Sequence, residues 1–177
     1  MSSPAPNLEI ERVFLLRGMP PLPDPHEVLR IEQGYFDADA GAMAEVGAEE
    51  GRVRRTTDRD GRQSHFLTRK KGSGLVREEH EREIDAHVFE ALWTETGRRR
   101  IVKDRHRVAD ADLLWEVDRF EEPPIVLAEV ELPSVDWQVE IPPWLEGWIV
   151  REVTDDPAYR NSAIAFGLAG RTARSAD

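Results

Sequence analysis

The sequence contains no cysteine. That removes disulfides, thiolate nucleophiles and Cys-ligated zinc, and it suits a reducing compartment. It has no apolar run long enough to cross a bilayer as a helix. Its first residues, MSSPAPN, lack the basic-then-apolar layout of a secretory signal. The protein is therefore expected to be soluble and cytoplasmic. Basic charge is in deficit: 24 Lys and Arg against 35 Asp and Glu give a formal net charge of −11. A chain this acidic is not expected to work by binding nucleic acid or an anionic membrane. Neither G-x-x-x-x-G-K-[ST] nor G-x-S-x-G occurs, which excludes P-loop and α/β-hydrolase chemistry. The five histidines show no metal-ligand spacing.

What is present points to one folded domain. The chain has 177 residues, of which 40% are hydrophobic and a high 33% charged. The domain is expected over residues 8–168, with flexible tails at 1–7 and 171–177. PPLPDP (Pro20 to Pro25) reads as a stiff connection, and Asp37 to Gly51 as a short acidic helix or a loop. Most of the rest alternates with period two, the mark of strands. The candidates are Leu8–Leu15, Val28–Phe36, Gly51–Thr57, Ser64–Lys71, Gly74–Ile84, Arg100–Val108, Leu113–Phe120 and Ile125–Leu132. Gly72 and Gly74 mark a hairpin. One helix is expected from an N-cap at Asp85 to Gly97. A second is expected in TDDPAYRNSAIAF, capped by Thr154 or Asp155 and ended by Gly167. Many strands and few helices make an α+β protein.

The strands carry an unusual charge pattern. Like charges stand at i and i+2, hence on one strand face. The pairs are Glu9 and Glu11, Arg52 and Arg54, Lys103 and Arg105, Glu116 and Asp118, and Glu129 and Glu131. Glu79 and Glu81 follow Arg77 at the same spacing, and Lys70 shares its face with Thr68. Any one strand could be an ordinary half-buried strand with a wet charged face. The set is harder to explain that way, because like charges repel and ordinary surfaces mix signs. A closed antiparallel barrel with these faces inward accounts for it: basic walls for a polyanion such as phosphate, acidic walls for Mg²⁺ or Mn²⁺.

These residues also resemble the CYTH family, the triphosphate tunnel metalloenzymes. Glu9-Ile10-Glu11-Arg12-Val13 is similar to its E-x-E-x-K opening. IEQGYF, RVR, LTRK, REEHE, KDR, WEVDRF, LAEVEL and REVTDDPAYRNSAIA follow in the family's order from about residue 8 to 168. The likeness is closest to short bacterial members. It implies an eight-stranded antiparallel β-barrel, or tunnel, with helices packed outside and a C-terminal helix. It implies a metal held by Glu9, Glu11, Glu129 and Glu131, with Glu116 and Asp118 as further candidates. Triphosphate would be bound by Arg52, Arg54, Lys70, Arg77, Lys103 and Arg105, and catalysis would centre on Glu9, Glu11, Lys70 and Arg105. The activity so implied is Mg²⁺- or Mn²⁺-dependent hydrolysis of a triphosphate, with inorganic tripolyphosphate first. Nucleoside and thiamine triphosphates, ATP cyclisation to cyclic AMP, and binding without catalysis are the alternatives.

One residue departs from the resemblance. Val13 stands where the family pattern has lysine, and Arg12 should face the other way. Losing a cation there should weaken phosphate binding or turnover. Arg98-Arg99-Arg100 reads as a solvated basic turn continuing into a tunnel wall. Trp144 and Trp148 read as packing residues.

Overall fold

A computed structural model describes residues 10–36, 50–71, 78–134 and 136–174; at 50, 70, 71, 78, 79 and 171–174 it describes the backbone alone. The strands are β1 (Glu11–Leu16), β2 (Glu27–Tyr35), β3 (Glu50–Thr57), β4 (Gln63–Lys71), β5 (Glu78–Ile84), β6 (Arg100–Asp110), β7 (Leu113–Phe120), β8 (Val126–Glu131) and β9 (Ile149–Glu152). Among the described residues two α-helices accompany them, α1 (Ala86–Glu95) and α2 (Asn161–Arg174). A strand is present at each of the eight expected places, Leu113–Phe120 with the expected bounds; the expected starts at Leu8 and Gly74 lie outside the described residues. The acidic segment from Asp37 and the Gly72–Gly74 hairpin lie outside the described residues.

The strands form one antiparallel nine-stranded sheet, ordered β5-β4-β3-β2-β6-β7-β8-β1-β9. The ninth strand is an addition to the expected eight. It lies on the free edge of β1, with Phe14 opposite Glu152. Among the described residues no ladder joins the edge strands β5 and β9, so the expected closed barrel is here a curved sheet without a completed ring of hydrogen bonds. The curl brings distant strands together. Arg54 of β3 feels the charge of Glu116 on β7, although β2 and β6 lie between them in the sheet.

Alternation sorts the two faces. On the convex side Phe14, Leu16, Trp115, Val117, Ala128 and Val130 form a core, covered by Trp144 and Leu145. Trp144 packs edge-on to Trp115, the packing role expected of it. Also on the convex side, α1 seats Phe89 against Val53 and Leu67. Asp85 caps α1, accepting from the Val88 N–H at 2.9 Å. Gly34 of β2 lets the end of α1 approach, since a Cβ there would lie 2.7 Å from the Thr96 hydroxyl oxygen.

Two expectations for the C-terminal segment change. Asp156, not Thr154 or Asp155, acts as a cap, and it starts a short 3₁₀ turn over Pro157–Tyr159. The helix proper begins at Asn161 and runs to Arg174, so Gly167 is internal and α2 enters the segment expected to be a tail. Unlike α1, α2 lies on the concave side. Ile164 and Ala165 pack there on Tyr35, Ile101, Phe120 and Leu127, with Val13 and Leu15 at the edge.

Candidate active site

The site is built from the concave face, where the ladder registers fix which charges meet. One row runs Val13–Glu129–Glu116–Arg107–Glu27 across β1, β8, β7, β6 and β2. The next runs Leu15–Leu127–Asp118–Arg105–Leu29. Acidic β7 therefore adjoins basic β6 directly, with acidic β8 next beyond it. Across the β6–β7 ladder Arg105 faces Asp118 and Arg107 faces Glu116, while Glu116 and Glu129 stand side by side across β7–β8.

Arg105 is the hub. It donates to Asp118 Oδ1 through Nε and to Asp118 Oδ2 through one terminal nitrogen, each at 2.7 Å. The same terminal nitrogen reaches Glu129 Oε2 at 2.7 Å, and the other donates to Glu116 Oε2. Burial would lower the Arg105 pKa, but Asp118 and Glu129 outweigh it and hold the guanidinium firmly charged. Lys103 beside it is 2% exposed. Its ammonium donates to Asp118 Oδ2 at 2.5 Å and to Asn161 Oδ1 at 3.0 Å. Burial lowers the Lys103 pKa, partly offset by Asp118. Asp118 is fully buried; burial pushes its carboxyl up, but Lys103 and Arg105 together bring it below its ordinary value. Glu129 goes the other way, raised by burial and by the Asp118 charge.

A second cationic group lies on β3. Arg54 donates to Glu81 Oε1 at 2.9 Å, and an Arg52 terminal nitrogen lies 3.8 Å from Glu81 Oε2. The Thr68 hydroxyl donates to that second oxygen at 2.7 Å. Burial lowers the Arg54 pKa and the charge of Arg52 lowers it further. Its Nε is buried without a hydrogen-bond partner. Two guanidiniums gathered on one strand face form a basic wall of the kind that suits an anion.

The residues expected at the site are only partly brought together. Arg52, Arg54, Lys103, Arg105, Glu116, Asp118 and Glu129 share the concave face. Glu11 and Glu131 stand opposite each other, exposed, at the start of β1 and the end of β8. Lys70 stands in β4 opposite Glu50. Glu9 and Arg77 lie outside the described residues. Arg12 faces away, as its parity requires, and grips both oxygens of Glu152 on β9. Arg99 and Arg100 are less solvated than expected: Arg99 bonds the Tyr35 carbonyl, and Arg100 stacks over Trp93 at 4.2 Å. The expected watery tunnel is apolar where α2 covers it. Asn161, Thr68, Glu81 and Arg107 were not among the expected site residues. Signals were there: Arg107 continues Lys103 and Arg105 at the same spacing, Glu81 and Thr68 stand in the strand-face pattern, and Asn161 lies in the REVTDDPAYRNSAIA motif.

For a hard divalent cation the donor chemistry is right: carboxylate oxygens with no competing soft ligand. Among the described residues, however, no three such groups already form a metal cage. The space between Glu116, Asp118 and Glu129 is bridged by Arg105. Asp118 has both oxygens engaged by cations, so it acts as their counter-ion. Glu129 is the carboxylate in this cluster best placed to change partner, because it accepts from Arg105 through one oxygen.

A curled antiparallel sheet with opposed acidic and basic walls on its concave face is the architecture of a triphosphate tunnel protein. No family model matches the chain. An inorganic triphosphatase of Nitrosomonas europaea is 36% identical over 165 residues, covering 90% of this chain and 98% of the relative. An inorganic triphosphatase of Acetivibrio thermocellus is 34% identical over 166 residues, covering 88% and 92%. The crystal structure of an inorganic triphosphatase superposes with a TM-score of 0.61 at 32% identity, covering 89% of this chain and 93% of that one. The chain belongs to the CYTH family of triphosphate tunnel metalloenzymes, among its short bacterial members.

Proposed function

We propose that this protein is a cytoplasmic, divalent-metal-dependent triphosphatase whose substrate is inorganic tripolyphosphate. The observation that carries the reading is one concave face bearing Arg52, Arg54, Lys103 and Arg105 beside Glu116 and Glu129. Its relatives named as inorganic triphosphatases support the same substrate. Phosphoryl transfer needs positioning and charge neutralisation more than a covalent nucleophile, and these residues supply both.

Arg52 and Arg54 bind one end of the polyanion, assisted by Lys70 and Arg77. Lys103 and Arg105 bind phosphate oxygens nearer the acidic wall. Glu129 and Glu116, with Glu11 and Glu131 at the open end and Glu9 from the same sequence motif, would hold Mg²⁺ or Mn²⁺. That ion would offset phosphate charge and favour in-line attack by water. Phosphate arriving at Arg105 competes with its three carboxylates and frees Glu129 and Glu116 as donors. The apolar cluster under α2 keeps bulk water from the Lys103 end, which strengthens each charge contact.

The test is to incubate the protein with tripolyphosphate, ATP and thiamine triphosphate, each with Mg²⁺ or Mn²⁺, and to follow phosphate and cyclic AMP. Release of phosphate, fastest from tripolyphosphate, is expected. Cyclic AMP as the main product would make it a cyclase, and binding without turnover would make it a sensor.

A further inference from the structure

Among the described residues Lys103 is the most buried cation of the site, and its surroundings are unequal. From β7 it faces Asp118, and its own strand brings Arg105 two residues on. Glu129 on β8 adds a more distant negative charge. Ile31 of β2 stands opposite it in register, and the Phe120 ring centroid lies 5.0 Å from the ammonium. The acceptor on the remaining side is Asn161 Oδ1 at 3.0 Å, from the first residue of α2.

An amide oxygen there has a property no carboxylate would share. It directs an ammonium N–H without neutralising it. Asp118 already divides its charge between Lys103 and Arg105, so Lys103 retains net positive charge. Without Asn161 the ammonium would swing wholly onto Asp118. With a carboxylate in its place, Lys103 would be fully paired and a phosphate would be repelled.

We infer that Asn161 is a positioning residue: it aims the Lys103 ammonium at the substrate phosphate and makes the seating of α2 a condition of a competent site. The helix is joined to β1 as well as to β6. Val153 N–H donates to the Val13 carbonyl at 2.8 Å, and Val13 N–H donates to Thr154 Oγ1 at 3.0 Å, just before the 3₁₀ turn that leads into α2. Ile164 and Ala165 then anchor α2 in the apolar cluster, one turn beyond Asn161. The β1 backbone, the seated helix and the lysine thus form one connected unit.

This inference rests on the triphosphatase reading, and the test separates the two. Tripolyphosphate affinity without metal, steady-state KM and kcat, Tm, and the lysine ¹⁵Nζ spectrum are measured for wild type, Asn161→Asp, Asn161→Leu and Ile164→Ala. Asn161→Asp keeps the shape and the hydrogen bond, so its Tm should stay near wild type while its affinity falls about tenfold or more. Asn161→Leu should lower kcat and shift the Lys103 ¹⁵Nζ resonance. Ile164→Ala loosens the seat of α2, so it should lower Tm and move that resonance in the same direction as Asn161→Leu, by less. If the Asn161 variants lose affinity only in proportion to Tm, or if the Lys103 signal is unmoved in Asn161→Leu, the inference is wrong. If wild type binds no tripolyphosphate, the functional reading falls and takes this inference with it.

Discussion

Val13 of β1 stands opposite Glu129 of β8, yet the cation that satisfies Glu129 is Arg105, from β6. The family resemblance places a lysine at position 13, and here an arginine two strands away from β8 supplies the charge instead. Arg105 thereby serves three carboxylates at once, and its release for phosphate is correspondingly opposed.

Val13→Lys should therefore raise tripolyphosphate turnover, because a second cation beside Glu129 frees Arg105 for substrate. The same change removes an apolar side chain from the edge of the α2 cluster, so Tm should fall. Steady-state kinetics and a thermal melt on one preparation check both directions. An unchanged or lower rate would show that the valine is not a simple loss of charge.

Glu129→Gln should abolish metal-dependent hydrolysis, since an amide oxygen is a poor substitute for a carboxylate toward a hard cation. Its fold should survive, because burial and Asp118 already disfavour the charged form of Glu129. Circular dichroism, Mn²⁺ binding by electron paramagnetic resonance and phosphate release together decide this. Full activity in the variant would remove Glu129 from the metal set.

Asp118→Asn should lower stability by about 3–5 kcal/mol at neutral pH, because it strands Lys103 and Arg105 without their shared buried counter-ion. The pH dependence has a definite sign. The Asp118 pKa is depressed in the fold, so its stabilisation is fully present above its unfolded value of about 3.9. It is lost as pH falls through the depressed folded value. Urea melts across acid pH should show the wild-type and variant stabilities converging at the lowest pH.

Arg54→Gln should weaken tripolyphosphate binding by roughly tenfold to a hundredfold, the scale of a charge-assisted hydrogen bond. It should not lower Tm in proportion, since Arg54 is desolvated and repelled by Arg52. Isothermal titration with tripolyphosphate beside a thermal melt tests the separation.

The sheet was legible in the sequence because period-two alternation is a direct consequence of strand geometry, and each like-charged pair marked one strand face. Four-residue β9 was not. Its IVRE is too short to show a period, and it exists as a strand because β1 offers an unpaired edge. The start of α2 was misplaced for a local reason: Asp156 caps a 3₁₀ turn first, and Arg160 is extended before the helix begins. The site was legible as pairs of like charge, but not as contacts. That Asp118 belongs to Lys103 and Arg105 follows from the β6–β7 register, and that Asn161 reaches Lys103 follows from where α2 packs. Neither is written in any local pattern.

On the proposed function, the concave face hydrolyses a triphosphate with a metal held at its acidic wall. The most direct measurement is the initial rate of phosphate release from tripolyphosphate by wild type with Mn²⁺ or Mg²⁺, repeated after chelation and on Glu129→Gln. Rapid release is expected with metal, and none in either control. Tight tripolyphosphate binding with no release under any metal would contradict it.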